Sequence, residues 1–161
     1  MTDEKQSAVK AVLDLWNSRI QAADKLFNAL TDEQLQNEVS PRRNRGIYLL
    51  GHLTAVHDKM LPLLDFEKQL YPHLDDIFLS KPDKAVMEIT SAKDLRDYWK
   101  DVNSKLSTHF NGLKPEQWFE KHTSVSKEDF IKEPHRNRLN VVIGRTNHLS
   151  YHLGQLALLK N

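Results

Sequence analysis

The sequence contains no cysteine. Disulfide staples, thiolate metal ligands and a cysteine nucleophile are therefore excluded, and any protein ligand to a metal must be His, Asp or Glu. Glycine and proline are scarce, at 5 and 6 of 161 residues, which disfavours a loop-rich or β-rich fold and leaves helices as the default. Neither sign of charge dominates, since 23 Lys+Arg face 22 Asp+Glu; the two are mixed along the chain and give no electrostatic argument for nucleic acid or an anionic membrane. No stretch of about 18 apolar residues occurs. Met1-Thr2-Asp3-Glu4-Lys5-Gln6 is acidic and polar, without an apolar signal region, so the expectation is a cytoplasmic protein with no membrane or nucleic-acid partner. Also missing are a Gly-rich phosphate loop, a His-Glu-x-x-His pair and the Glu-x-x-His repeat of di-iron bundles. Ser150 and Thr146 sit in no nucleophile elbow.

What is present is helical periodicity. A chain of 161 residues suits one domain, expected over 1–161. Val9, Val12, Leu13, Trp16, Ile20, Ala23, Phe27 and Leu30 recur at three and four, predicting an amphipathic first helix from Lys5 to about Leu30. Thr31 and Gln34 are placed for a capping box on one extra turn, and Ser40-Pro41 breaks it. A second helix is predicted from an Asn44 cap to about Leu64, with Pro62 bending or fraying its last turn. From Asp65 to Ser91 the pattern weakens around Pro72 and Pro82, which predicts a long crossover with one or two short helical turns.

Ser91 and Asp94 form a cap for a third helix carrying Leu95, Tyr98, Trp99, Val102, Leu106 and Phe110, with Asn111-Gly112 as its stop. Pro115 starts one more turn, and Thr123 to Pro134, without clean period, is expected to be a loop or short hairpin. The last helix is predicted from about Asn137 to Leu159. The recurring aromatics Trp16, Trp99, Tyr98 and Phe110 fit core packing. Two short basic runs, Pro41-Arg42-Arg43-Asn44-Arg45 and His135-Arg136-Asn137-Arg138, read as solvated loops leading into helices, with an anion contact at the bundle mouth left open.

The last helix also carries the chemistry. His148 and His152 lie at i and i+4, on one face and one turn apart, close enough to hold a single ion, and Gln155 shares their stripe. Spacing alone is weak evidence, because eight His scattered at random would give such a pair in about a third of chains of this size. The apolar setting of Leu149, Leu153, Leu156, Leu158 and Leu159 adds weight, as does His52, a third imidazole on a separate apolar helix. Three neutral imidazoles with positions left over describe an open divalent site, while core histidines satisfied by hydrogen bonds remain the alternative. His57, five residues beyond His52, falls elsewhere on the helical wheel and reads as an outer-face or supporting residue.

Two blocks, Asn44 to Asp58 with its Gly51-His52-Leu53, and His148 to Gln155 with its His-x-x-x-His-x-Gly-Gln pattern, resemble the DinB-like, or YfiT-like, superfamily of four-helix-bundle proteins, often described as metal-dependent hydrolases. Their order and separation match as well, so the resemblance spans nearly the whole chain. It implies an all-α, up-down-down-up four-helix bundle with the long crossover between helices 2 and 3. It implies His52, His148 and His152 as ligands of one divalent metal ion, nickel or zinc, and a homodimer. It further implies a hydrolase or a thiol-dependent transferase acting on a small-molecule substrate, with a low-molecular-weight thiol as cosubstrate. One departure is Leu153, where the family often has Arg. The reading that follows is a metal-dependent enzyme whose nucleophile is either hydroxide or thiolate. Asp58 and Gln155 are the nearest candidates for orienting a ligand or moving a proton, and no catalytic base is assigned. A non-catalytic metal-binding or stress-associated bundle is the alternative.

Overall fold

Between Gly46 and His57 the chain carries no charged side chain, and its apolar residues cover every face of a helical wheel rather than one stripe. Such a helix has no side to offer to water and must be surrounded. The computed structural model, which describes residues 2–87 and 89–160, places this segment as helix α3 (Gly46–Asp58), buried along its length except at His52. Around it lie α1 (Thr2–Ala29), α5 (Ala92–Gly112) and α7 (Arg138–Leu156), with α5 and α7 packed on α3 and α1 along α7. The described residues form no strand; two isolated bridges, Glu38–Arg45 and Lys121–Asn137, pin loops. Among them, no helix is long and apolar enough to cross a membrane.

The start of α3 meets the 3-10 turn Ala157–Lys160 that follows α7: a Cβ added at Gly46 would touch Leu159. At its far end the Leu63 carbonyl accepts from the Thr123 amide, and the nearby Glu120 carbonyl accepts from Arg138 at the head of α7. Helices α3 and α7 therefore run antiparallel. Trp16, Trp99 and Phe110 are buried in the core, and Tyr98 stacks on Tyr71 with ring centroids 3.9 Å apart.

Local signals set most helix starts. Thr31 and Gln34 close the expected capping box on α2 (Asp32–Leu35); Ser91 accepts from the Asp94 amide and Asn137 from the Asn140 amide. Elsewhere the expected boundaries are corrected. The N-cap of α3 is Arg45, not Asn44, because the Asp83 carboxylate takes both the Arg45 amide (2.8 Å) and its guanidinium (2.7 Å) and fixes that residue extended. Pro62 has no amide proton for the Asp58 carbonyl, so the helix breaks at Lys59 and α4 (Met60–Leu63) follows as a separate turn. Helix α5 runs through Gly112 and ends at extended Leu113; the residues ahead of Pro115 stop it, and Gly112 does not take up a left-handed conformation. The segment from Thr123 to Pro134 contains α6 (Lys127–Lys132), capped by Ser126 on the Asp129 amide.

The crossover makes one π-helical turn, Asp76–Ser80, laid against α3. The Tyr48 hydroxyl donates to the Lys81 carbonyl at 2.6 Å, and the Asp58 carboxylate accepts from the Leu70 and Tyr71 amides, both at 2.8 Å. Phe78 packs where Gly51 has no side chain: a Cβ there would come within 2.3 Å of the ring. Gly51→Ala is expected to displace Phe78 and lower stability, because an overpacking penalty of about 1–3 kcal/mol outweighs a helix-propensity gain of about 1 kcal/mol. Gly144→Ala, where an added Cβ meets nothing within 4 Å, is expected to gain about 0.5–1 kcal/mol. Urea unfolding of the two variants checks this; midpoints moving in the same direction would contradict the packing.

Candidate metal centre

Helix α7 turns Leu149 and Leu156, both fully buried, toward the core. That rotation brings His148 and His152, one turn apart, against the only part-exposed residue of α3, His52. The three imidazoles point Nε2 inward on one another. His148 Nε2 lies 3.2 Å from His52 Nε2 and 3.1 Å from His152 Nε2, and all three ligand atoms fall within 4.8 Å of one another.

The opposite ring nitrogens decide what these atoms can do. Nδ1 of His52 is 2.9 Å from the Phe78 carbonyl, which only accepts, so Nδ1 carries the proton and donates it. Nδ1 of His152 likewise donates to Gln155 Oε1 at 2.7 Å. In both rings Nε2 is then a bare lone pair. Two lone pairs aimed at a third imidazole nitrogen repel unless something positive sits among them, and one N–H on His148 could serve only one of the two. A divalent ion relieves this: ligands bound at about 2.0–2.1 Å, with tetrahedral to right-angled geometry, stand about 2.8–3.4 Å apart, and His148 Nε2 lies at that spacing from both other Nε2 atoms. The donor set fits, since neutral imidazoles held by accepting groups at Nδ1 are metal ligands in their working form.

Protonation is also disfavoured. Burial, then the charges of His152, His52 and Arg145, push His148 down to about 4. Burial and the neighbouring His52 lower His152, with Gln155 working the other way.

Other expected residues fall differently. Gln155 orients His152, as anticipated for a supporting role. Asp58 does not face the histidines: its buried carboxylate caps the crossover through the Leu70 and Tyr71 amides, and burial pushes its carboxyl up against the pull of those donors. His57 is not on an outer face. It is fully buried, its ring between Trp16 and Trp99 at 4.9 Å from each, with Nδ1 donating to Asn103 Oδ1 at 2.8 Å. The apolar wrap of α3 was the signal for this, since a helix without a polar face leaves none for His57. Leu153 packs against the core and offers no anion contact. In the two basic runs, Arg45 is tied to Asp83 and Arg138 to Glu120 (3.0 Å), so both serve as staples. The Phe78 carbonyl, a backbone group on the crossover, left no trace in sequence pattern. A cleft of about 580 Å³ between α1 and α5, over Trp99 and Phe27, contains none of the three histidines.

The family model described as the DinB superfamily matches residues 15–156 of the chain. A search of curated proteins finds no match.

Burial holds His57 at about 3, despite the Asn103 hydrogen bond that works to raise it. Unfolded, a histidine takes up its proton near 6.5, so acid favours the unfolded chain. The stability His57 contributes is fully present above about 6.5 and is lost as pH falls toward its folded value. Between pH 7 and 5 this one residue is expected to remove about 2 kcal/mol, with His148 and His152 adding in the same sense. Urea unfolding of metal-free protein at the two pH values measures it; stability unchanged across that range would contradict a neutral, buried His57.

Proposed function

This chain belongs to the DinB superfamily, and we propose that it is a metal-dependent enzyme in which His52, His148 and His152 hold one divalent ion. The carrying observation is the meeting of three Nε2 atoms, two of them forced by Phe78 and Gln155 into lone-pair-forward tautomers. The reading includes one domain over residues 1–161, folded as an up-down-down-up four-helix bundle. The antiparallel run of α3 and α7 and the crossover between α3 and α5 support it.

Nickel and zinc are the ions proposed, both suited to imidazole. When bound, such an ion supplies Lewis acidity to a water or a thiol at its remaining positions. The residues supply the rest. Phe78 and Gln155 accept the Nδ1 protons and so aim the Nε2 atoms of His52 and His152. The reaction proposed is hydrolysis or thiol-dependent S-transfer on a small-molecule substrate, with a low-molecular-weight thiol as cosubstrate in the second case. A homodimer and a cytoplasmic setting belong to the same reading. The exposed Ile143, Tyr151 and Leu158 on the C-terminal segment, 42%, 65% and 56% accessible, support self-association.

Elemental analysis of purified, untagged protein beside a His148→Ala/His152→Ala variant tests the centre. About one nickel, zinc or similar ion per chain in the parent, lost in the variant, is the expected result. Failure of both proteins to take up stoichiometric metal would overturn the proposal. With metal loaded, turnover of an S-conjugate in the presence of thiol, or of an ester without it, separates transferase from hydrolase.

A further inference from the structure

The acceptor for His52 Nδ1 comes from outside the two helices that carry the three imidazoles. It is the Phe78 carbonyl, 2.9 Å away, in the π-helical turn Asp76–Ser80 of the crossover. Extended Lys81 follows that turn, so the carbonyls of its last residues meet no amide further along their own helix. They need donors from elsewhere, and α3 supplies them. Tyr48, Gly51 and His52 stand at i, i+3 and i+4, on one face of α3, and the turn is laid against it. The Tyr48 hydroxyl donates to the Lys81 carbonyl at 2.6 Å and lies 3.4 Å from the Phe78 carbonyl, while the two rings stand 5.7 Å apart. Gly51 makes room for the fully buried Phe78 ring. Two residues past Lys81, Asp83 is held by Arg45 at the head of α3.

The other oriented histidine is served differently. Gln155 accepts from His152 within the same helix, three residues on, so that bond lasts as long as α7 does. The His52 bond spans 26 residues and exists only while the turn is docked. A turn that lifts away, or a Phe78 ring pushed aside, takes the carbonyl with it. Water then meets Nδ1, and water both donates and accepts, so nothing confines the proton to that nitrogen. The proton is free to move to Nε2, the atom 3.2 Å from His148 Nε2, where it blocks a ligand lone pair. Outer hydrogen bonds of this kind change metal affinity about 10–100-fold. Binding linkage is reciprocal, so an ion that prefers the docked turn must stabilise the docked turn by the same factor.

We propose that the π-helical turn of the crossover is a conformational switch coupled to the metal centre. Docked on Tyr48 and Gly51, it presents the Phe78 carbonyl to His52 and holds the centre at full affinity; an ion on the three histidines in turn fastens the turn to α3. Tyr48 is the positioning residue of this device, because its hydroxyl closes the turn onto α3 without bonding to any of the three imidazoles. The inference rests on the metal reading above and extends it from which residues hold the ion to what controls the hold.

Hydrogen exchange of the full chain with and without zinc, read at the amides of residues 74–83, tests the coupling. In the parent, zinc is expected to slow exchange there about 10–100-fold. Slowing no greater than in α5 would mean a general gain in stability and would overturn the coupling. Tyr48→Phe keeps the ring and removes the hydroxyl, and is expected to speed exchange at these amides about fivefold with or without zinc; unchanged exchange would remove Tyr48 from the device. Gly51→Ala displaces Phe78 while leaving every polar side chain in place. Its zinc affinity, measured by competition with a chelator, is expected to fall about 10–100-fold. A folded Gly51→Ala protein that binds zinc as the parent does would overturn the switch. Parent protein that binds zinc with no local slowing refutes the coupling and leaves the metal centre standing, whereas parent protein that takes up no zinc refutes both.

Discussion

Helix α3 has to be buried on all sides, yet it carries Thr54, His57 and Asp58 in its interior-facing turns and His52 at its one opening. Every polar atom so placed needs a partner, because an unmatched one costs about 1–3 kcal/mol. Thr54 answers this within the helix by donating to the Leu50 carbonyl. The others reach outward and in doing so organise what surrounds them: Asp58 gathers the Leu70 and Tyr71 amides, His57 takes Asn103 of α5, and His52 takes the Phe78 carbonyl. The crossover is thus held to α3 at both of its ends by hydrogen bonds that α3 itself requires. Arg45 and Asp83 close the arrangement with a mostly buried ion pair, in which the guanidinium and amide donors overcome the burial that would raise the Asp83 carboxyl.

The centre follows from that arrangement. Gly51 admits the Phe78 ring, the ring sets the position of its own backbone, and that backbone fixes which nitrogen of His52 is protonated. A residue valued for lacking a side chain thereby determines the chemistry of its neighbour. On α7 the same result is reached locally, through Gln155 one turn from His152. The two helices need only be docked by Leu149 and Leu156 for the lone pairs to meet.

Much of this was legible in the sequence because it is encoded in short-range rules. The caps at Thr31, Ser91 and Asn137, the Pro115 turn and the interrupted crossover are all decided by residues within a few positions of one another. The pairing of His148 with His152 is of the same kind, and His52 stood out as an imidazole on an apolar helix. What could not be read depended on contacts between distant segments. Arg45 rather than Asn44 caps α3 because Asp83, 38 residues away, seizes it. Asp58 turned out to be an anchor for backbone amides, which side-chain patterns do not register. Of the two places the wheel left for His57, an outer face or a supporting one, the outer face is excluded because α3 has no wet face there.

The charge of the surroundings argues for what the centre would select. Its ligand group contains no carboxylate, and nearby acids are engaged: Asp58 with amides, Asp83 with Arg45, Asp76 with Lys81. Arg145 adds a cation whose guanidinium is partly desolvated, enough for burial to lower its affinity for its own proton. Imidazoles contribute no compensating charge, so an ion held by them keeps both of its own. A pocket of this sign stabilises anions and the deprotonated forms of weak acids. Neutral, acceptor-only ligands gain little from such a field, whereas thiols and water gain from it the loss of a proton. The all-histidine composition, read first as a simple spacing motif, thus bears on the class of nucleophile the proposed enzyme would use.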